Sequence, residues 1–184
     1  MIITYKKHDK IVIIEMERVR KFTMKEYIVD YQSPIGVLEI IGTDEVIYSI
    51  LFSEKQSPEY QLNEYTPKIM RECILQLDQY FEGERKDFTL PIKVEGTPFQ
   101  TKVWDALTSI PYAQTGSYKD IANHIGNEKA VRAVGTANGK NKLCIVIPCH
   151  RIIGSNGTLT GYAGGLWRKE WLLLHEQKWK QNFF

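Results

Sequence analysis

The sequence predicts a mixed α/β protein (α+β class), with a small antiparallel sheet in the N-terminal half and a mostly helical C-terminal half. Three observations carry this. Between residues 27 and 52, short apolar stretches alternate with turn signals. From residue 66 onward, apolar residues recur at helical spacing behind Thr-Pro and Ser-x-x-Asp start signals. The charge also changes sign between the halves. Residues 1–96 hold 13 Lys+Arg and 17 Asp+Glu, a net of −4, and residues 97–184 hold 11 and 5, a net of +6.

The 184 residues fit one large or two small domains, and we divide them at residues 1–96 and 97–184. An apolar content of 43% with 25% charged residues is ordinary for a soluble globular chain. No apolar run approaches a membrane span, and the longest, at residues 11–14, is too short for a signal-peptide core. A cytoplasmic protein without a membrane partner is expected. Cys73, Cys144 and Cys149 are an odd number with no C-x-x-C, which argues against a disulfide framework and a cysteine-based zinc site. No ligand spacing recruits His8, His124 or His175, so no metal is expected.

The elements follow in order. Residues 11–14 fit a strand with solvated basic flanks. Residues 27–31, 37–41 and 46–52 read as a three-stranded meander, with turns at Ser33-Pro34-Ile35-Gly36 and Thr43-Asp44-Glu45. Residues 53–65 are polar and loop-like. Thr66-Pro67 reads as an N-cap with proline at the first helical position. Ile69, Met70, Cys73, Ile74, Leu77, Tyr80 and Phe81 then share a helical face, with Cys73 as core filling, and Gly83 stops the helix. Residues 84–96 read as a linker. Thr97-Pro98 starts a helix on Phe99, Val103, Trp104 and Leu107, which Pro111 ends.

Ser117 and Asp120 form a capping-box pattern ahead of Tyr118, Ile121, Ala122 and Ile125, and Gly126 closes that helix. Asn127 is the expected cap of the next, with Ala130, Val131 and Val134 facing inward. Two short helices around a glycine turn make a helix-turn-helix pattern, although an ordinary αα-corner has the same signature. The basic half tips the reading towards DNA. Lys129, Arg132 and Lys140 are available to phosphates, while Ala130, Ala133, Gly135 and Ala137 allow close backbone approach or tight helix packing.

The chemistry centres on Ile147-Pro148-Cys149-His150-Arg151. An apolar run from residue 143 reads as a strand that ends in Cys-His at a loop. The thiolate is the nucleophilic form of cysteine, and a nearby imidazole favours it. Adjacent residues of an extended chain point to opposite faces, so His150 is expected to act on the Cys149 sulfur through a water. A lone Cys-His pair is more often a structural cysteine beside a surface histidine. Here the basic helical half around it favours chemistry. Gly161-Tyr162-Ala163-Gly164-Gly165 is a tight-turning segment whose amides approach a planar ligand. Residues 166–179 read as the last helix, with Trp167, Trp171 and Leu174 at helical spacing; its late Glu176 is available to orient His150, although a glutamate near a helix end is more often a solvated charge.

Pro148-Cys149-His150-Arg151, Arg132-Ala133-Val134-Gly135, Asn141, Tyr162-Ala163-Gly164-Gly165 and Lys169-Glu170-Trp171-Leu172-Leu173 stand in the order and spacing of one family. The chain resembles the methylated-DNA–protein-cysteine methyltransferases (O6-alkylguanine-DNA alkyltransferases), densely over residues 97–177 and more loosely over 27–95. The resemblance implies a ribonuclease-H-like N-terminal domain and a winged-helix-like C-terminal domain. It implies suicide repair, in which the protein binds duplex DNA by the minor groove, flips out the alkylated guanine and takes the alkyl group onto its own cysteine.

In that pattern Cys149 is the acceptor, and His150 and Glu176 form the water-linked relay. Asn141 holds the active-site loop, and Tyr118 pushes on the target phosphate. Arg132 fills the gap in the duplex. Lys119, Asn127, Ala130, Gly135 and Ser155 join Tyr118 and Arg132 at the DNA. Tyr162, Ala163, Gly164 and Cys144 line the base pocket, where the Tyr162 hydroxyl donates to guanine O6 or N3. No cofactor is implied, because the lesion is the alkyl donor, and the protein is expected to be a monomer.

Three positions depart from the family pattern: Lys142 replaces a common proline, Cys144 a proline of some relatives, and Ala163 a serine of others. Alkyl-size preference and O4-alkylthymine activity depend on them. A non-catalytic lesion-binding relative would lack the cysteine that Cys149 supplies. A cysteine hydrolase would need an oxyanion hole and a histidine in direct reach of sulfur. A plain helix-turn-helix regulator would bind a specific sequence with no covalent change.

Overall fold

The structure, a computed structural model, describes residues 3–7, 10–14 and 25–183, with side chains from 25 to 181. Strands β1 (Ile3–Lys7) and β2 (Lys10–Ile14) pair antiparallel, so the strand read at residues 11–14 is present with a partner the sequence reading lacked. The solvated basic flanks expected there lie outside the described side chains.

The meander is present as β3 (Tyr27–Ser33), β4 (Gly36–Gly42) and β5 (Ile47–Phe52), antiparallel in that order. The β3–β4 turn works because Gly36 holds φ 112, a left-handed value that β-carbon-bearing residues avoid. Helix α1 (Lys68–Phe81) packs on this sheet through Ile69, Met70, Cys73, Leu77, Tyr80 and Phe81, all buried. Truncating a fully buried residue such as Leu77 to alanine costs about 2–5 kcal/mol. The expected cap is displaced by one residue. Pro67 is the N-cap, and the Thr66 hydroxyl instead accepts from the Asn63 amide at 2.9 Å. Gly83 ends the helix at φ 75.

Residues 84–96 are not a free linker. The Ile47 amide donates to Pro91 O and the Lys93 amide to Ile47 O, both at 2.9 Å, so this segment is laid along the edge of β5. The same strand holds the active-site loop. The Ile50 amide donates to Lys142 O at 2.7 Å and the Cys144 amide to Ile50 O at 3.0 Å. An edge strand offers unpaired amides and carbonyls, and here both halves of the chain use them. One apolar core runs through both halves, from Val29 to Leu172.

Helix α2 (Pro98–Thr108) begins with the full Thr97–Gln100 capping box. The Trp104 indole on it donates to Ala137 O at 2.8 Å. Strand β6 (Gly116–Ser117) leads into α3 (Tyr118–His124), capped by Ser117 and Asp120 as the sequence predicts. Gly126, at φ 74, turns the chain. The next helix is not capped by the Asn127 side chain. A 3₁₀ turn, Glu128–Ala130, comes first, and α4 (Val131–Gly139) follows. Val134 is buried, while Ala130 and Val131 are half-buried. Strand β7 (Ile152–Ile153) pairs parallel with β6. Helix α5 (Leu166–Trp179) closes the fold within the bounds read from the sequence. Its buried face is Lys169, Leu172, His175 and Glu176, whereas Trp167 and Leu174 are exposed. Among the described residues no helix is long and apolar enough to cross a membrane.

Candidate active site

Cys149 does not end a strand. Residue 143 makes only a single bridge to the sheet, and Ile145 turns the chain with φ 73, a rare value for a β-branched residue. Pro148 then starts a 3₁₀ turn, Cys149–Arg151, closed by the Arg151 amide on Pro148 O at 3.0 Å. Proline fixes its own φ and lacks an amide hydrogen, which suits the start of such a turn.

Asn141 staples this loop. Its Oδ1 accepts from the Leu143 amide at 2.9 Å, and its Nδ2 donates to Ile147 O at 2.9 Å and to the Cys149 sulfur at 3.1 Å. The sulfur is buried, with Cys149 only 4% exposed. The Cys144 thiol hydrogen-bonds to it and is the main reason the Cys149 thiol titrates below its ordinary range. Burial opposes that shift, and the Asn141 bond and the Lys169 charge add to it. Cys144 is pushed well above the ordinary range, first by Cys149 itself and then by burial. Of the two thiols, Cys149 is therefore the more readily ionised and Cys144 the donor.

His150 and Glu176 are both fully buried, with His150 Nε2 2.9 Å from Glu176 Oε1. Burial alone would raise the Glu176 carboxyl. His150 and Arg151 outweigh it and hold the group down at about 2. Arg151 grips both oxygens, with Nε 3.0 Å from Oε2 and Nη2 3.0 Å from Oε1. Tyr80 Oη donates to Oε1 at 3.0 Å and the Ala113 amide to Oε2 at 2.9 Å. A buried carboxylate is tolerable only with such a full set of donors.

Burial lowers the His150 titration despite Glu176, so the ring is neutral near pH 7. An ionised carboxylate only accepts, so the ring proton sits on Nε2. Nδ1 is left as a bare lone pair, buried and without a hydrogen-bond partner. His150 makes no hydrogen bond to the Cys149 sulfur, as expected, although a 3₁₀ turn and not an extended strand separates the two side chains.

The Tyr162 hydroxyl lies buried against Cys144, with no nitrogen or oxygen partner. Burial keeps it protonated far above neutral pH, so it remains a donor. Gly164 packs under it: a β-carbon there would meet Phe52 Cδ2 at 2.8 Å and Tyr162 Cε1 at 2.9 Å. Ala163 is exposed beside this wall.

The other predicted residues form a second, exposed cluster. Tyr118 Oη donates to Thr160 O at 3.1 Å, and the Tyr118 ring lies against Gly135 of α4. Arg132, Lys119 and Asn127 are exposed and Ala130 is half-buried. Ser155 shares a surface cleft with Lys119. Among the described residues no group of His, Cys, Asp or Glu is placed to hold a metal, and all three cysteines are free.

Sequence reasoning placed Tyr80 on the core face of α1 and counted Arg151 and Lys169 among the family motifs, but gave none of the three a part in the site. Lys169 is fully buried and donates to Thr160 O at 2.7 Å and to Ile152 O. Its signal was present, because residues 169, 172 and 176 share a helical face and a lysine there must be paired. Nothing local marks Tyr80, which meets Glu176 from 96 positions away.

Family models match most of the chain. The ribonuclease-like domain of 6-O-methylguanine DNA methyltransferase matches residues 27–94, and its DNA binding domain matches residues 98–178. A Methanosarcina acetivorans protein named methylated-DNA–protein-cysteine methyltransferase is 44% identical over 80% of this chain and 96% of its own length. The constitutive Bacillus subtilis enzyme of that name is 46% identical over 75% of this chain and 87% of its own. The crystal structure of the Mycobacterium tuberculosis OGT protein in complex with DNA superposes with a TM-score of 0.73. It has 42% identity and covers 82% of this chain and 92% of that one.

Proposed function

The chain belongs to the methylated-DNA–protein-cysteine methyltransferase family, and on that premise we propose how its own residues carry out DNA repair by alkyl transfer. It is an enzyme that moves the alkyl group of O6-alkylguanine in DNA to its own Cys149 in one irreversible turnover. The observation that carries the assignment is the buried Cys149 sulfur, held by Asn141 at 3.1 Å beside a neutral His150 whose Nε2 donates to Glu176 and leaves Nδ1 free to accept.

The Cys149 proton passes through a water to His150 Nδ1, and Glu176, held in place by Arg151, stabilises the imidazolium that forms. The thiolate attacks the alkyl carbon. The S–C bond forms as the C–O6 bond breaks, and the electron pair leaves on the guanine. The Tyr162 hydroxyl donates to the base edge and makes it a better leaving group. The alkyl donor is the lesion itself, so no cofactor is needed. The thioether product has no regenerating group nearby, so one molecule repairs one lesion.

The α3–α4 pair binds the duplex. Lys119, Asn127, Ala130, Gly135 and Ser155 approach the backbone, and Tyr118 presses on the target phosphate. Arg132 replaces the flipped base in the stack. A net charge of +6 over residues 97–184 supplies affinity without sequence choice, which suits a lesion search. Residues 1–96 and 97–184 act as two domains around one site. The protein works as a monomer in the cytoplasm, where three free thiols persist.

The test separates binding from chemistry. Cys149→Ser keeps duplex affinity and loses transfer entirely. Equal loss of both would overturn this division of labour.

A further inference from the structure

Helix α5 opens with two adjacent cations, and they hold the segment that carries Tyr162 from its two ends. Lys169 Nζ donates to Thr160 O at 2.7 Å. Arg168 Nη1 donates to Gly164 O at 2.8 Å. Of the two, Arg168 also reaches into the N-terminal half. Its Nε donates to Ile35 O at 2.8 Å, in the turn between β3 and β4. The guanidinium also lies over two rings, 4.7 Å from the Phe52 centroid at the end of β5 and 4.6 Å from that of Trp167.

The surroundings are fitted to this side chain. Gly36, at φ 112, would place a β-carbon 3.0 Å from Arg168 Nη2, so a larger residue there would push the guanidinium away. Phe52, which stacks on Arg168, also limits the space at Gly164, and Gly164 in turn packs against the Tyr162 ring. A planar fork of donors serves two carbonyls at once and stacks on aromatic rings, which an ammonium does not. Among the described residues Arg168 makes no salt bridge, and its polar partners are backbone carbonyls.

We propose that Arg168 is a positioning residue for alkyl transfer: it locks the Tyr162–Gly165 wall of the base pocket onto the β3–β4 turn, so the N-terminal sheet sets where Tyr162 meets the base. This rests on the alkyltransferase reading above. Arg168 touches neither Cys149 nor the relay. Its loss leaves the nucleophile intact and loosens the group that receives the leaving base.

Three readouts on the full-length protein test it: single-turnover transfer from a duplex carrying O6-methylguanine at saturating protein, affinity for undamaged duplex, and the pH profile of Cys149 alkylation by iodoacetamide. Arg168→Ala is expected to slow saturated transfer on the order of tenfold, as loosened positioning does. Duplex affinity and the iodoacetamide profile stay at wild-type values. Arg168→Lys keeps the charge and the fold but loses the fork, and it is expected to stay slow.

Wild-type transfer by either variant would overturn the proposal, as would a parallel fall in the iodoacetamide reaction. If Arg168→Ala does not fold, Arg168→Lys and the milder Trp167→Ala, which removes one stacking face, carry the same comparison. If the wild-type protein itself transfers no methyl group, the alkyltransferase reading fails, and that outcome is distinct from a failure of Arg168's role.

Discussion

The Tyr80 hydroxyl lies 3.0 Å from Glu176 Oε1, joining side chains 96 positions apart in the chain. Both are fully buried. Tyr80 belongs to α1 and Glu176 to α5, so the N-terminal half supplies a donor to the carboxylate that fixes the His150 tautomer. Tyr80→Phe keeps the ring and its edge contact with Phe81 while removing that donor. A hydrogen bond to a charged group contributes about 1.5–3 kcal/mol. Thermal unfolding should show a loss of that size, and single-turnover transfer should slow with duplex affinity unchanged. A stability loss with an unaltered transfer rate would make Tyr80 purely structural.

Cys144 offers a second handle on the nucleophile. It stands where some relatives carry proline, and its thiol is the largest influence lowering the titration of Cys149. Cys144→Ala should move the pH profile of Cys149 alkylation to higher pH, and Cys144→Ser, which restores a donor, should bring it part of the way back. An unmoved profile in the alanine variant would remove Cys144 from the activation of Cys149.

Acid should unfold the protein through its buried relay. Glu176 is held at about 2 in the fold, below the ordinary carboxyl value of 4.5. Its stabilising contribution is present above pH 4.5 and is lost as pH falls towards 2. His150 and His175 are both lowered from 6.5, each chiefly by burial. The unfolded chain takes up protons that the folded one refuses, so stability also falls as pH drops below 6.5. The melting temperature should decline from neutral pH through pH 4. Glu176→Gln should flatten the part of the decline below pH 4.5, at a cost of about 3–5 kcal/mol near neutrality from the unpaired Arg151 charge. A melting temperature that stays level from pH 7 to 4 would contradict the buried neutral histidines.

Arg132 is exposed on α4, whereas Cys149 is buried. Its proposed work is to hold an extruded base out of the stack, which costs a few kcal/mol. Arg132→Ala should therefore slow repair in duplex DNA by a factor on the order of 10 to 100. The reaction with free O6-benzylguanine, which needs no flipping, should stay close to the wild-type rate. Equal losses on both substrates would count against the finger role.

Local signals were legible in the sequence. The capping boxes at Thr97 and Ser117, the meander from residue 27 to 52 and the bounds of α5 follow from turn chemistry and periodicity. The pairing of His150 with Glu176 was reachable from motif logic, because a buried imidazole needs an orienting group. The Cys149 backbone was not legible. An apolar run before Cys-His looks like a strand, but Asn141 and the positive φ of Ile145 fold it into a tight loop. Residues 84–96 looked like a linker because their pairing with Ile47 is set by the edge of β5, which local composition does not encode. Arg151, Tyr80 and Arg168 gain their meaning from partners 25, 96 and 133 positions away, beyond any periodic pattern.

The most direct test of alkyl transfer to Cys149 is intact-protein and peptide mass spectrometry after mixing the protein with a duplex carrying one O6-methylguanine. The predicted result is a single added methyl group, on the peptide that contains Cys149, saturating at one per protein molecule. An unchanged mass after lesion binding, or a methyl group on Cys144 or Cys73 instead, would contradict the account.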